Sequence, residues 1–373
     1  MSAITIMVKP VSGACNMNCR YCFYSDVMAH RETAVYPGMS IETLETLVRR
    51  AFRYADGPVS FSFQGGEPTL AGVEFYRALV RFERMYNSRG LPVHNAVQTN
   101  GYALSDELID LFAREHFLLG VSLDGDAAAH DAMRPDRRGA PTFDRIRGNI
   151  DRLIAAGVEF NLLCVVNELV ASRPAEVFAA LAPFRYLQFI ACLDGLDGTR
   201  RSYSLSPERY LHFLKETFDL YERAFFGKHP VSVRNFDNYI GILLGVPPEN
   251  CAMGGVCGQY FLVEADGSVY PCDFYVLDPW RLGNVLETPF NRLAASPIAR
   301  SFREESLALP AECRACEWYR LCRNGCKRER DPRTGRNRWC ACYRAFFEYA
   351  APRMQRIAET LRAQNGATPK HRP

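Results

Sequence analysis

Cys15-Asn16-Met17-Asn18-Cys19-Arg20-Tyr21-Cys22-Phe23-Tyr24 places three thiols within eight residues, directly after a short apolar run, Ile4–Val8. Three thiolates at this spacing can hold three irons of a [4Fe–4S] cube, a cluster that takes cysteine ligands. The fourth iron is then open to a ligand from outside the protein. Zinc is the competing reading, but structural zinc is usually closed by four N or S ligands. No histidine lies within the triplet; His30 is eight residues further on.

Outward from the triplet, apolar runs alternate with amphipathic segments. The runs are Ile4–Val8, Val59–Phe63, Val93–Gln98, Phe117–Leu123, Phe160–Val166 and Leu187–Leu193. Helical periodicity falls between them, at Ile41–Tyr54, Glu74–Tyr86, Asp106–Arg114, Phe143–Ala155 and Pro174–Leu181. Six strand–helix repeats predict an α/β fold of parallel βαβ units with right-handed crossovers. Functional loops are expected after the strand C-termini. Gln64–Pro68, Gln98–Gly101 and Ser122–Gly125 sit there.

After a helical stretch near Pro207–Phe226 the texture changes. From Cys251 to Cys342 the chain is cysteine-dense, and Ala265-Asp266-Gly267-Ser268 between Phe261–Val263 and Val269–Pro271 signals a hairpin. A small region of this kind builds little core and calls for metal staples. Arg344–Arg362 reads as a closing helix. Three regions are expected: 1–230, the barrel; 231–363, the cysteine-rich domain with the closing helix; and 364–373, a disordered tail.

Composition limits the function. Hydrophobic residues make up 48% and charged residues 23%, the balance of an ordinary globular protein. No apolar run approaches the roughly 20 residues of a spanning helix, so no membrane partner is expected. A net charge of +3 argues against nucleic acid as the main partner. The start lacks a signal peptide's apolar core, which predicts a cytoplasmic protein. There, fourteen cysteines mean metal or redox chemistry rather than disulfides.

The triplet after a first strand, with Gly65-Gly66-Glu67-Pro68 after the second, resembles the radical SAM superfamily. Cys313-x2-Cys316-x5-Cys322-x3-Cys326, preceded by Cys251, Cys257 and Cys272 and followed by Cys340, resembles a SPASM domain. Longer blocks, above all Gly267-Ser268-Val269-Tyr270-Pro271-Cys272-Asp273-Phe274-Tyr275, are similar to anaerobic sulfatase-maturating enzymes from about Ile4 to Met354. The resemblance implies a partial (β/α)6 TIM-type radical SAM barrel with a C-terminal cysteine-rich SPASM auxiliary-cluster domain. It implies S-adenosylmethionine (SAM) and three [4Fe–4S] clusters. Cys15, Cys19 and Cys22 would hold the first, Cys251, Cys257, Cys272 and Cys326 the second, and Cys313, Cys316, Cys322 and Cys340 the third. Cys342 competes with Cys340 for the last ligand. Taken alone, the Cys313–Cys326 run reads equally as a zinc knuckle.

By the same resemblance Tyr21, Gly66, Ser122, Arg134 and Leu193 would contact SAM. Arg134 by itself reads as well as a solvated loop arginine beside Asp131 and Asp136. The implied reaction oxidises a sulfatase active-site cysteine, or serine, to formylglycine. A 5′-deoxyadenosyl radical takes a β-hydrogen, an auxiliary cluster accepts an electron, and Asp273 accepts the thiol or hydroxyl proton. Asp273 reads equally as a brace for the turn after the hairpin, and Gln64 and Tyr24 as substrate-positioning or core residues. The implied partners are an unfolded sulfatase segment with Cys/Ser-x-Pro-x-Arg and an electron donor such as flavodoxin or ferredoxin. The alternatives are another SPASM peptide modifier, forming thioethers or crosslinks, and a multi-zinc scaffold. Cys164 and Cys192 read as buried small hydrophobes, the seven histidines as surface or packing residues, and Arg137–Arg138 and Lys327–Arg330 as solvated faces.

Overall fold

The computed structural model describes residues 3–367; the tail expected at 364–373 lies outside the described residues from 368 onward. In chain order the described strands are β1 (Ile4–Val8), β2 (Val59–Phe63), β3 (Val93–Thr99), β4 (Leu118–Ser122), β5 (Phe160–Val166), β6 (Tyr186–Ala191), β7 (Ser232–Val233), β8 (Phe261–Val263), β9 (Ser268–Tyr270) and β10 (Gly283–Asn284). The chain packs as two compact units. One comprises residues up to 164 with 193–203 and 257–305; the other comprises 165–192, 204–256 and 306 onward.

In the first unit the strands lie in the order β10-β9-β8-β1-β2-β3-β4-β5. β1 to β5 pair in parallel, with Ile6 opposite Phe61, Val97 opposite Leu119 and Val121 opposite Leu162. Alternation sets the register: Ile4, Ile6 and Val8, like Val59, Phe61 and Phe63, are buried, while Thr5 is exposed. The crossover helix Ile41–Tyr54 starts where Ser40 Oγ accepts from Thr43 N, and it buries Leu44, Leu47, Val48 and Ala51 at helical spacing. Val73–Tyr86 packs its aromatic face against the sheet. Tyr76 meets Phe63 and Phe112 edge-on, with centroids 5.3 and 5.2 Å away. Truncating such a ring to alanine costs about 3–5 kcal/mol.

The expected strands and helices appear with shifts of a residue or two, except the closing helix, which runs Cys340–Ala367 against the expected Arg344–Arg362. The hairpin does something the sequence did not indicate: β8 pairs in parallel with β1, Ile6 opposite Phe261, while β9 folds back antiparallel with Leu262 opposite Tyr270. The residue pair Cys272–Asp273, which follows β9, is thereby brought beside the ends of β1 and β2.

In the second unit β6 and β7 pair in parallel. Helix Pro207–Phe225 packs on helix Cys340–Ala367 through Phe218 and Phe346, 5.9 Å apart, and Arg353 bonds to Asp219 and Glu222 at 2.8 and 3.0 Å. The closing helix begins at Cys340, four residues before its apolar periodicity does.

Candidate active site

The triplet loop leaves β1 and is braced from the loop after β2. Glu67 N donates to Ala14 O at 2.7 Å. Gly66 has φ +49°, and a Cβ there would lie 2.1 Å from Ala14 O, so the approach admits only glycine. The Glu67 carboxylate is buried and accepts from Thr69 N, Thr69 Oγ, Thr99 Oγ and Asn100 N at 2.7–3.1 Å. Burial pushes its pKa up, and these donors pull it back. The Glu67 side chain thus ties the loop after β2 to that after β3, and its backbone N–H adds the loop after β1. Asn100 Nδ2 in turn reaches Asn16 Oδ1 at 2.8 Å and Cys15 Sγ at 3.7 Å.

The other side of the loop rests on Asp124, just past β4. Asp124 is fully buried; it accepts from the Tyr21 hydroxyl and from Arg134 Nε at 2.9 Å. Arg134 is buried as well and reaches Cys19 Sγ at 3.9 Å. It is therefore not a solvated loop arginine. Asp131, one of the carboxylates expected beside it, instead accepts from Thr142 N and Phe143 N. His130 Nδ1 accepts from Asp124 N at 3.3 Å, which leaves Nε2–H to donate to Thr142 Oγ1 at 3.0 Å. Burial pushes His130 down to about 4. Burial also pushes the Cys19 thiol up to about 12, against the pull of Arg134, so metal ligation there releases a proton.

A second cluster of polar side chains centres on Asp273, which is 8% exposed. Gln64 Nε2 donates to Oδ2 at 2.7 Å, and the Tyr260 hydroxyl donates to Oδ1 at 2.8 Å. The same hydroxyl lies 3.4 Å from Cys272 Sγ. Close by, the Tyr24 hydroxyl donates to the buried Glu264, and Lys9 Nζ lies 3.8 Å from the Tyr24 ring centroid. Burial pushes the Lys9 ammonium down, against the opposing pull of Asp273 and Glu264.

In the second unit, Cys313, Cys316, Cys322 and Cys340 form one electrostatic neighbourhood. Cys340 is the largest charge influence on Cys313, and Cys340, Cys313 and Cys316 all bear on Cys322. Cys342 is buried and faces Glu208 and Lys215 instead. Among the described residues no three His, Cys, Asp or Glu side chains converge on a single-ion site. A cube does not need them to, because each thiolate binds a different iron.

Residues 10–176 match the radical SAM superfamily, and residues 251–317 match SPASM, an iron–sulfur cluster-binding domain. The chain is 40% identical over 369 residues to a cysteine-type anaerobic sulfatase-maturating enzyme of Clostridium novyi, a match covering 97% of this chain and 99% of that protein. The chain belongs to the anaerobic sulfatase-maturating enzymes. A serine-type anaerobic sulfatase-maturating enzyme of Bacteroides thetaiotaomicron is 30% identical, over 96% of this chain and 92% of that protein. Among solved structures, native anSMEcpe with bound AdoMet and Cp18Cys peptide superposes with a TM-score of 0.91 at 39% identity, covering 96% of this chain and 100% of that one.

As a sulfatase-maturating enzyme the chain has the radical SAM barrel and C-terminal SPASM domain that its motifs implied, and it works with SAM and iron–sulfur clusters. Its residues fit a cluster at the triplet. The three thiols are electrostatic neighbours, amide and guanidinium N–H groups face two of them, and a glycine keeps the loop's backbone close. Bound there, the cluster supplies the electron that splits SAM and so makes hydrogen-atom abstraction possible. Tyr21 and Arg134 come together on Asp124 beside Cys19, and Gly66 closes the opposite side. Ser122 ends β4, two residues before Asp124, and Leu193 is half-buried after β6. Sequence reasoning missed Glu67, Asn100, Asp124 and His130 as supports, although all but His130 lie in polar turns it had singled out. Lys9 and Glu264 gave no signal, lying singly at the ends of apolar runs. The run Lys327–Arg330, expected to be solvated, is structural: Glu329 accepts from Trp339 Nε1 at 2.7 Å and Arg330 donates to Ser306 O at 2.7 Å.

Proposed function

We propose that this chain oxidises a cysteine in a sulfatase segment of the Cys-x-Pro-x-Arg type to formylglycine, in preference to a serine. The observation that carries this reading is Asp273, a buried carboxylate held by Gln64 and Tyr260 at the mouth of β1 and β2 and covalently next to Cys272. The cysteine preference is supported by the higher identity to cysteine-type than to serine-type relatives, 40% against 30%.

The residue would lose a Cβ hydrogen atom to the 5′-deoxyadenosyl radical, one electron to an auxiliary cluster and the thiol proton to Asp273. Water would then replace sulfur, which leaves as hydrogen sulfide, to give the aldehyde. General-base catalysis of this kind needs reach first. Gln64 and Tyr260 supply it by fixing both carboxylate oxygens. Tyr21, Gly66, Ser122, Arg134 and Leu193 hold SAM, with the Arg134 guanidinium, already buried and oriented by Asp124, offering charge-assisted bonds to a carboxylate. Cys15, Cys19 and Cys22 ligate the first cluster. Cys251, Cys257, Cys272 and Cys326 ligate the second, and Cys313, Cys316, Cys322 and Cys340 the third. The working division is 1–230 for the radical chemistry and 231–363 for the auxiliary clusters.

The reductant is a small electron-transfer protein of the flavodoxin or ferredoxin class, and the setting is the cytoplasm, where thiols stay reduced. Among the described residues no helix is long and apolar enough to cross a membrane. The test is anaerobic turnover of Cys-x-Pro-x-Arg and Ser-x-Pro-x-Arg peptides by reconstituted enzyme with SAM and reductant, followed by mass. Formylglycine matched to 5′-deoxyadenosine, faster on the cysteine peptide, is expected. SAM cleavage with both peptides unchanged would move the assignment to another SPASM peptide modification.

A further inference from the structure

The steps above leave a fully buried ammonium without a task. Lys9 follows β1 directly, is 0% exposed, and its Nζ has no hydrogen-bond partner among the described residues. An ammonium carries three donors and is rarely buried without an opposite charge. The groups that face it are the carboxylates of Asp273 and Glu264, the Arg31 guanidinium, the Cys22 thiol and the ring of Tyr24.

Glu264 is partly provided for, since its Oε2 has no hydrogen-bond partner among the described residues. The Tyr24 hydroxyl donates to it, and Arg31 Nη1 lies 3.7 Å away with both side chains buried. Asp273 has three neutral donors, Gln64, Tyr260 and the Cys272 thiol, and no guanidinium bond among the described residues. Two cations and two carboxylates share this interior; Lys9 bears on both carboxylates, Asp273 is the larger charge influence on it, and Asp273 is the one that Arg31 does not bond. Gly65 makes the placement possible. Its φ is +86°, and a Cβ there would stand 2.6 Å from Lys9 Cγ and 2.7 Å from Nζ. Catalytic hydrogen bonds are often long before substrate arrives and tighten with it, which accounts for an ammonium near its carboxylate but not yet bonded to it.

We propose that Lys9 is a positioning residue for the oxidation, its buried ammonium holding the Asp273 carboxylate turned toward the target side chain. The inference rests on Asp273 being the base. Lys9→Met and Lys9→Arg enzymes, reconstituted with iron and sulfide, are given SAM, reductant and a Cys-x-Pro-x-Arg peptide deuterated at the target Cβ. Lys9→Met is expected to bind SAM in equilibrium dialysis as wild type does, and to carry deuterium into 5′-deoxyadenosine. Its yield of formylglycine per 5′-deoxyadenosine is expected to fall by about 10–100-fold, with partial recovery in Lys9→Arg. A wild-type ratio in Lys9→Met overturns the proposal. If that variant fails to hold its clusters, Lys9→Gln decides: a ratio below that of Lys9→Arg supports the role, and a ratio equal to wild type overturns it. Wild-type enzyme that makes no formylglycine, or Asp273→Asn that keeps full turnover, would instead overturn the reading beneath it.

Discussion

The thiols of the triplet and the thiols of the 313–340 set are held in place by opposite means. Cys15 and Cys19 sit in a loop whose supports come from far along the chain: Glu67, Asn100, Asp124 and Arg134. Cys313, Cys316 and Cys322 are held by their own neighbours. Cys313 N donates to Pro310 O, Tyr319 N to Cys316 O and Gly325 N to Cys322 O. The chain then reverses through three consecutive left-handed residues, Arg323, Asn324 and Gly325. A Cβ on Gly325 would lie 2.3 Å from Asn337 Nδ2, so the reversal needs glycine there. The triplet loop is thus anchored from across the sheet, whereas Cys313, Cys316 and Cys322 are placed by local turns.

The sharpest way to break this contrast is to remove one thiol from each set. Cys19→Ala should abolish reductive SAM cleavage, with 5′-deoxyadenosine at background by chromatography. Cys322→Ala should leave 5′-deoxyadenosine release measurable while formylglycine disappears. If Cys322→Ala also stops SAM cleavage, the two sets are not functionally separate. Next in size is Asp273→Asn, which keeps the hydrogen bond to Tyr260 but not the base. Loss of a general base costs roughly 10²–10⁴-fold, read as formylglycine per 5′-deoxyadenosine with SAM cleavage retained.

The same contrast explains what could be read from the sequence. The Cys15-x3-Cys19-x2-Cys22 spacing and the short apolar runs of β1 to β6 are local signals, and local signals survive in one dimension. So do Gly65-Gly66-Glu67-Pro68 and the Gly267 hairpin, where backbone conformation restricts the residue type. What could not be read are pairings between distant single residues. Tyr21 with Asp124, Asn100 with Cys15 and Lys9 with the carboxylates around Tyr24 each join positions far apart in the chain, and no pattern at one says which residue it meets. β8 is the same case at the level of a strand: three apolar residues announce a hairpin, but nothing in them says that Phe261 will lie opposite Ile6.

The support beneath the triplet should also fail first in acid. His130 is held neutral near pKa 4 by burial and by Arg134, against 6.5 in an unfolded chain. A base whose folded pKa is depressed contributes stability above pH 6.5 and loses it as pH falls from 6.5 toward 4. The full loss is on the order of 3 kcal/mol. Urea unfolding at pH 7 and pH 5 should show the drop in wild type and a flatter profile in His130→Gln. SAM affinity of the folded enzyme should hold through that interval and fall only as pH nears 4, where Nδ1 protonates and can no longer accept from Asp124 N. Equal slopes in both proteins would place the acid sensitivity elsewhere.

The smallest expected effect separates two cysteines that lie two residues apart. Cys340 and Cys342 both lie in the first turn of the closing helix, and spacing alone could not choose between them. A helix turns about 100° per residue, so positions two apart point to opposite sides. Cys340 accordingly faces Cys313 and Cys322, while Cys342 is buried toward Glu208 and Lys215 on Pro207–Phe225. Burial pushes the Cys342 thiol up to about 12, which keeps it protonated at neutral pH and leaves it a small apolar filler. Cys342→Ala should then cost about 1 kcal/mol of stability and leave iron content and formylglycine yield at wild-type levels. Cys340→Ala should lose iron and turnover while its melting temperature before reconstitution changes little, since its thiol is only half-buried. The reverse pattern would mean that the helix rotates when the cluster is built, and the division between local and sheet-borne anchoring would fail at its C-terminal end.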